Sequence, residues 1–267
     1  MRSISIMGTG AMGSAIMAGL IQSAQAEPSN IRVYDVSRPR LDQAHKEFGV
    51  QVVNKPEQLL EGHTGILLLA VKPQHMDEAL KSLGSSLNEG VLVISIAAGV
   101  TSEFILSRLG AKTRLIRSMP NAAAMVRQSA TAICKAGGAT DHDIQLATEF
   151  FASIGQVVVV DEKLMNAVTA LSGSGPGYLF AIMEALTDGG VLAGLSRDVS
   201  RKLTLQTVIG AATMALDSKL SFSHLKDQIT SPAGTTISGL QVIERAGLRG
   251  IIMDAVEAAK RRADQLM

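Results

Sequence analysis

The 267-residue sequence contains no tryptophan, and aromatic residues make up only 3% of it. Proteins that bind single-stranded nucleic acid stack bases on aromatic side chains, so this composition disfavours that class. Basic and acidic residues number 25 and 24, which leaves a net charge of +1. Such a balance gives no electrostatic reason to expect nucleic acid or an anionic membrane. We therefore expect a small-molecule partner.

Cysteine and long apolar runs are also scarce. Cys134 is the single cysteine, so no intramolecular disulfide can form, and its apolar neighbours favour a packed thiol over a nucleophile. The apolar stretch before Gly8 is too short for a signal peptide, and the run 66–71 is far below membrane-spanning length. The sequence therefore predicts a soluble, cytoplasmic protein without a membrane partner.

Histidines are few and follow no metal-binding pattern. They occur at positions 45, 63, 75, 142 and 224. None of these spacings is typical of a zinc site. We expect no bound metal.

The first 160 residues alternate short apolar runs with helical patterns, which is typical of βαβ units and a mainly parallel sheet. Residues 66–69 and 91–94 are apolar at every position, which indicates strands covered on both faces. The predicted strands are Ser3–Met7, Ile31–Tyr34, Gln51–Val53, Gly65–Ala70, Gly90–Ser95 and Thr113–Met119, with weaker ones at Ala130–Cys134 and Gln156–Val160. After residue 160 only helical spacing recurs. This pattern predicts an α/β fold, with a doubly wound sheet over residues 1–160 and an all-helical domain over residues 161–267.

A glycine-rich turn follows the first predicted strand. Residues Gly8-Thr9-Gly10-Ala11-Met12-Gly13 read G-x-G-x-x-G and lead into an amphipathic helix. In this context the turn lets the backbone approach a pyrophosphate, which also meets the free N–H groups of the helix N-terminus. We therefore predict a Rossmann-type dinucleotide-binding domain, with residues 8–12 contacting the cofactor.

The end of the second predicted strand carries conflicting signals about the cofactor. Asp35 stands 22 positions after Gly13, the usual offset of a carboxylate that binds the ribose 2′-hydroxyl of NAD. Ser37, Arg38 and Arg40 follow it, and an arginine beside a hydroxyl suits the 2′-phosphate of NADP. These residues leave the choice between the two cofactors open.

Two further loops follow predicted strands at their carboxyl ends, where doubly wound sheets bind ligands. The first is Ala70-Val71-Lys72-Pro73, in which Lys72 is expected to face the cofactor. The second contains Ser95, Ala97 and Ala98, whose small side chains admit a flat ring close to the backbone. Both loops also fit ordinary strand-to-helix turns.

The stretch Ser231-Pro232-Ala233-Gly234-Thr235-Thr236 lies within the helical half. Serine suits an N-cap and proline suits the first helical position, so we expect a helix to begin here. The N–H groups of residues 233–235 would then be free to bind a carboxylate. The Thr236 hydroxyl would hydrogen-bond the same ligand.

Asp161, Glu162, Lys163 and Asn166 are expected to form a helix N-terminus with solvated charges. The spacing of Lys163 and Asn166 also resembles β-hydroxyacid dehydrogenases, in which this lysine would be catalytic. Residues 172–176, Ser-Gly-Ser-Gly-Pro, do not form a nucleophile elbow. Hydrolysis by a serine nucleophile is therefore disfavoured.

The whole chain resembles the pyrroline-5-carboxylate reductases. Residues 231–244, SPAGTTISGLQVIE, resemble the family's C-terminal signature, and residues 70–73, 95–101, 117–121 and 168–176 resemble its other landmarks in the same order. Ala233 replaces a glycine common in the family, and we expect this change of one methyl group to be tolerated if its φ is helical. The rival dehydrogenases lack the C-terminal signature.

The resemblance implies that hydride from NADPH, or alternatively NADH, reduces 1-pyrroline-5-carboxylate to proline. It assigns Ser231, Gly234 and Thr235 to the substrate carboxylate and Thr236 to the ring nitrogen as the catalytic residue. It adds further cofactor-binding residues, namely Asn121, Gly173, Ser174, Gly175 and Pro176. It also implies that the helical half is a dimerisation domain, in a homodimer or decamer. A regulator that binds nucleotide without catalysis is the alternative from another class.

Overall fold

The computed structural model describes residues 3–62, 65–83, 87–88 and 90–266. His63, which was predicted to have a surface or packing role, lies outside these residues.

The N-terminal half contains an eight-stranded sheet in the order β3-β2-β1-β4-β5-β6-β7-β8. The strands are β1 (Ile4–Met7), β2 (Ile31–Tyr34), β3 (Gln51–Val52), β4 (Ile66–Leu69), β5 (Leu92–Ser95), β6 (Arg114–Met119), β7 (Ser129–Gly137) and β8 (Gly155–Val159). All neighbouring strands are parallel except β6 and β7, which pair antiparallel. The predicted mainly parallel sheet is therefore confirmed, and each predicted strand overlaps an observed one.

Both faces of the central strands are covered. In β1, Ile6 belongs to one apolar cluster and Met7 to another. In β4, Leu68 belongs to the first cluster, whereas Leu67 and Leu69 belong to the second. Because successive side chains of a strand point to opposite faces, the two clusters lie on the two sides of the sheet. This arrangement explains why β4 is apolar at every position.

Helices connect the strands and make up the C-terminal half. The helices are α1 (Ala11–Gln22), α2 (Arg38–Phe48), α3 (Met76–Leu83), α4 (Ser102–Leu109), α5 (Asp141–Ala152), α6 (Met165–Val168), α7 (Gly175–Leu192), α8 (Arg197–Asp217), α9 (Phe222–Gln228), α10 (Thr235–Arg245) and α11 (Leu248–Asp264). A π-helix, Thr169–Gly173, follows α6. Residues 160–266 contain no strand.

The chain forms two compact units, and the boundary between them does not coincide with the end of the last strand. One unit comprises Met1–Ser174 and Ala259–Met267, and the other comprises Gly175–Ala258. Met165 packs in a cluster with Ala132 and Cys134 of β7, so α6 belongs with the sheet. The end of α11 also belongs there, since Asp264 accepts a hydrogen bond from Asn166 at 2.8 Å. The packing boundary thus lies after residue 174, whereas strands end near residue 160.

Candidate active site

The predicted cofactor loops meet at one edge of the sheet. Strands β1, β2, β4, β5 and β6 run parallel, so the loops that follow them leave from the same edge. Strands β1 and β4 are neighbours although two strands separate them along the chain. This position is the point where the strand order reverses, and doubly wound folds bind dinucleotides there.

The glycine turn after β1 has three glycines with different structural roles. Gly8 has φ +102°, and a Cβ there would lie 2.6 Å from the carbonyl oxygen of Ala70. A Cβ on Gly13 would lie 2.2 Å from the carbonyl oxygen of Gly8. These two glycines are required for close packing of β1, β4 and α1. By contrast, a Cβ on Gly10 would meet no atom within 4 Å.

The N-terminus of α1 therefore has an open approach. Gly10 is its N-cap and provides no side-chain hydrogen bond. The first N–H groups of a helix have no intrahelical acceptor. Together with the helix dipole, they make this turn suitable for the pyrophosphate of a dinucleotide.

Asp35 ties the glycine turn to β2. Its Oδ2 accepts hydrogen bonds from the Thr9 N–H at 2.8 Å and the Thr9 hydroxyl at 3.2 Å. Its Oδ1 accepts from the Ser37 N–H at 2.9 Å. The side chain is only 6% exposed. Both carboxylate oxygens thus accept hydrogen bonds from the protein itself. The distance of 22 positions between Gly13 and Asp35 did not indicate this structural role.

Two arginines lie beside this carboxylate, in different environments. The Arg38 Nε lies 2.9 Å from Asp42, and its Nη1 donates to Asn54 at 3.1 Å. Arg40 is half exposed, with its Nη1 3.9 Å from Asp35. Arg40 also lines a cleft of about 400 Å³ next to Thr9, Gly10 and Ala11. Of the two arginines, only Arg40 is thus within 4 Å of the buried carboxylate, and both are of the residue type that binds a 2′-phosphate.

The loops after β4 and β5 lie at the same edge. In the first, Ala70 and Val71 are half-buried and Lys72 is exposed. In the second, Ser95 and Ala97 are buried, and Ala98 is half-buried. The Ser95 carbonyl accepts a hydrogen bond from the Ser118 hydroxyl at 2.9 Å, which fixes the start of this loop against β6.

Asn121, just after β6, is bound to the π-helix. Its Nδ2 donates to the Ser172 carbonyl at 3.0 Å, and its Oδ1 accepts from the Ala123 N–H at 3.2 Å. Gly173 approaches Met119 so closely that a Cβ would lie 2.7 Å from the methionine methyl. The first compact unit thus brings Asn121, Gly173 and Ser174 to the end of β6, while Gly175 and Pro176 begin α7. Contact of these residues with a cofactor stays a prediction.

The start of α10 differs from the sequence expectation. The helix begins at Thr235 with Gly234 as its N-cap, so the predictions of Ser231 as the N-cap and Pro232 as the first helical residue were wrong. Ala233 has φ +56°, so its expected helical φ was also wrong. This left-handed residue turns the chain before the helix, and the Gly234 N–H donates to the Ser231 carbonyl at 3.1 Å.

These changes shift the free donors of α10 towards its C-terminus. The Gly234 N–H is paired with the Ser231 carbonyl, so the free donors of the helix itself begin at Thr235. A Cβ on Gly234 would lie 2.3 Å from the Ser231 hydroxyl oxygen and 3.1 Å from the Ser231 carbonyl oxygen, so a side chain there would displace the Ser231 hydroxyl. Thr236 is half-buried, and Ser231 and Thr235 are exposed.

The residues that suggested a β-hydroxyacid dehydrogenase do not form a catalytic pair. The Lys163 side chain is 78% exposed, and its Nζ lies 3.5 Å from Asp161. Asn166 instead donates to Asp264. Glu162, expected to be solvated, binds Arg117 and Ser102. Arg117 and Ser102 lie 45 and 60 residues from Glu162 in the sequence, so local patterns could not reveal this network. The one sequence feature that could have indicated it is an arginine, Arg117, inside the strand Arg114–Met119.

No other group in the described residues indicates nucleophilic or metal chemistry. Burial, and secondarily the charge of Glu162, raises the pKa of the Cys134 thiol to about 11, so the expected packed thiol is confirmed. Among the described residues, no three His, Cys, Asp or Glu side chains cluster as metal ligands. No helix in that part of the chain is long and apolar enough to cross a membrane.

Comparison with known proteins agrees with this geometry. Residues 162–266 match the family described as pyrroline-5-carboxylate reductase dimerisation, and residues 3–99 match the family described as NADP oxidoreductase, coenzyme F420-dependent. A pyrroline-5-carboxylate reductase of Methanosarcina acetivorans is 42% identical over 99% of this chain and 98% of its own. The Escherichia coli reductase is 35% identical over 99% and 98%, respectively.

Solved structures show the same relationship. A pyrroline-5-carboxylate reductase from Coxiella burnetii has a TM-score of 0.94 and 36% identity, covering 99% of this chain and 98% of its own. The Plasmodium falciparum pyrroline carboxylate reductase, solved with NADP bound, has a TM-score of 0.88 and 30% identity, with coverage of 99% and 97%. Since these similarities extend over both compact units, the chain belongs to the pyrroline-5-carboxylate reductase family.

Proposed function

We propose that this protein reduces 1-pyrroline-5-carboxylate to L-proline, the last step of proline biosynthesis. NADPH supplies the hydride when bound. One observation carries the proposal. The turn at Gly10 leaves the N-terminus of α1 open to a dinucleotide, and a second helix, α10, begins at Thr235 with no acidic residue in its first turn. Imine reduction requires alignment and hydrogen bonding rather than a strong base.

The sheet unit contains the proposed cofactor-binding site. The free N–H groups at the start of α1 bind the pyrophosphate, and Gly10 leaves room for it. The Ser37 hydroxyl, Arg38 and Arg40 bind the 2′-phosphate. Because Asp35 is held by Thr9 and Ser37, its charge is compensated and does not exclude that phosphate. The loops at residues 70–73 and 95–98 line the nicotinamide end of the cofactor site.

The start of α10 contains the proposed substrate-binding residues. The N–H groups of Thr235 and its successor bind the carboxylate, and the Ser231 hydroxyl adds a further donor. Gly234 contributes by its lack of a side chain, which keeps the turn tight. The half-buried Thr236 hydroxyl orients the ring nitrogen. A threonine hydroxyl is a weak acid at neutral pH, so its role is hydrogen bonding, and the nitrogen takes its proton from solvent.

The helical half supports self-association. In α7 and α8 the only buried residues are Thr187, Ser200 and Thr204. Large apolar side chains of these helices are instead exposed, among them Phe180 at 67%, Leu203 at 54% and Ile209 at 58%. Several large exposed apolar side chains on two helices that contact each other are typical of a protein–protein interface. The chain therefore self-associates through this region, and we propose a homodimer that assembles further into a decamer, located in the cytoplasm.

The test is oxidation of NADPH and NADH by the purified protein with 1-pyrroline-5-carboxylate, and with a β-keto acid semialdehyde as the control substrate. We expect turnover with the cyclic imine and a preference for NADPH. Turnover with the semialdehyde alone would move the activity to the β-hydroxyacid dehydrogenases. Cofactor binding without turnover of either substrate would instead identify a regulator.

The role of Thr236 is tested by Thr236→Val, which removes the hydroxyl and keeps the shape. Loss of one hydrogen bond of about 1.4 kcal/mol in the transition state lowers kcat/KM about tenfold. Thr148→Val is the matched control, since Thr148 is a half-buried helical threonine whose hydroxyl bonds Ile144. An unchanged kcat/KM in Thr236→Val would remove Thr236 from the mechanism.

A further inference from the structure

Arg117 is a buried cation in the middle of the sheet. It lies in β6, and its side chain is only 7% exposed. Its Nη1 donates to Glu162 Oε1 at 2.6 Å. A buried guanidinium is costly unless an anion pairs with it, so Glu162 is needed to compensate its charge.

The same carboxylate also binds the start of α4. Glu162 Oε1 accepts a hydrogen bond from the Ser102 N–H at 2.8 Å, and Oε2 accepts from the Ser102 hydroxyl. Burial raises the pKa of Glu162, but the hydrogen bonds from Ser102 and the charge of Arg117 outweigh it and lower the pKa. Glu162 is therefore an anion at neutral pH, placed at the positive end of a helix dipole.

Ser102 directly follows the loop 95–101, whose first part, residues 95–98, the proposed function places beside the nicotinamide. The Ser118 hydroxyl holds the first residue of this loop. Within the loop, Gly99 has φ +77°, and a Cβ there would lie 3.0 Å from Leu266. The loop is thus fixed at its start by β6 and at its end by Glu162. Because Arg117 also lies in β6, one strand and one carboxylate set the position of the whole loop.

We propose that Glu162 is a positioning residue for hydride transfer, which acts through Ser102 on the loop 95–101 and is itself held by Arg117. This inference rests on the proposed function. Through Ser102, Glu162 holds in place the loop that would contact the nicotinamide. A displacement of about 1 Å from a residue remote from the chemistry can cost about 100-fold in rate, so the effect is measurable.

The experiment compares Glu162→Gln and Ser102→Ala with the matched control Glu103→Gln, whose residue is the exposed neighbour in the first turn of α4. All measurements are made below the onset of unfolding. We expect kcat with 1-pyrroline-5-carboxylate to fall about 10- to 100-fold in Glu162→Gln and to fall in Ser102→Ala, with Glu103→Gln unchanged. The double variant should lose no more than Glu162→Gln alone, since the Ser102 hydroxyl acts only through Glu162.

A purely structural role predicts a different result. If Glu162→Gln lowered Tm but kept the wild-type kcat and KM, the proposal would be overturned while the reductase activity stood. Wild-type activity in Ser102→Ala would overturn the route through the Ser102 hydroxyl. Ser102→Ala retains the Arg117–Glu162 pair, so it remains informative if Glu162→Gln fails to fold. Absence of turnover in the wild type would refute the proposed function and this inference together.

Discussion

Replacing Gly10 by alanine should weaken cofactor binding and leave stability nearly unchanged. The Gly10 backbone has φ −68° and ψ −174°, which alanine adopts without strain. A Cβ there meets no protein atom within 4 Å. Alanine reduces the entropy of the unfolded chain, which stabilises by about 0.4–1 kcal/mol. It is also a poorer N-cap than glycine, which costs a similar amount, about 0.5–1 kcal/mol. The free energy of unfolding should therefore stay within about 0.5 kcal/mol of the wild type.

The added methyl group instead occupies the space by which a pyrophosphate reaches the N-terminus of α1. Losing one or two backbone hydrogen bonds to a charged group weakens binding by roughly 1.5–3 kcal/mol, or about 10- to 100-fold in Kd. Chemical denaturation measures the stability, and calorimetric titration with NADPH measures Kd.

Gly13→Ala is the informative contrast, because its Cβ would lie 2.2 Å from the Gly8 carbonyl oxygen. It should destabilise the protein by about 1–3 kcal/mol through overpacking. If Gly10→Ala bound NADPH as tightly as the wild type, the assignment of this turn to the cofactor would be refuted.

Three further predictions concern charge and assembly. Asp35→Asn should weaken NADPH and NADH binding alike, because it loosens Thr9; a selective gain for NADPH in titrations would show that the carboxylate discriminates between cofactors. The pKa of Asp143 is lowered because Arg114 and Thr140 outweigh burial, which raises it. Its stabilisation is therefore complete above the ordinary pKa of 3.8 and is lost as the pH falls through the lower folded value. Asp143→Asn should cost about 3 kcal/mol at neutral pH and less in acid, and equal losses in denaturation at both pH values would contradict this. Finally, Tm should rise with protein concentration because folding is coupled to self-association. A constant Tm over a hundredfold dilution, with monomers in light scattering, would contradict the proposed dimer.

The sheet was predictable because its signals are local. Residues 66–69 and 91–94 are apolar at every position, and such runs require cover on both faces wherever they occur in a chain. The glycine turn was predictable for the same reason, since its spacing reflects steric contacts between consecutive elements. The chain segment that begins α10 was identified, but its geometry was not. Alanine normally avoids a positive φ, so the sequence favoured a helical Ala233, whereas the structure has φ +56°.

The sequence by itself determined the class of fold, the two candidate binding segments and the absence of a metal-binding pattern, since each follows from residue type and short-range spacing. Only the tertiary structure decided how the charges are used. It paired Asp35 with Thr9, 26 residues away, and Glu162 with Arg117 and Ser102, 45 and 60 residues away. The physical reason is burial: a carboxylate removed from water must find donors, and those donors come from whichever elements pack beside it.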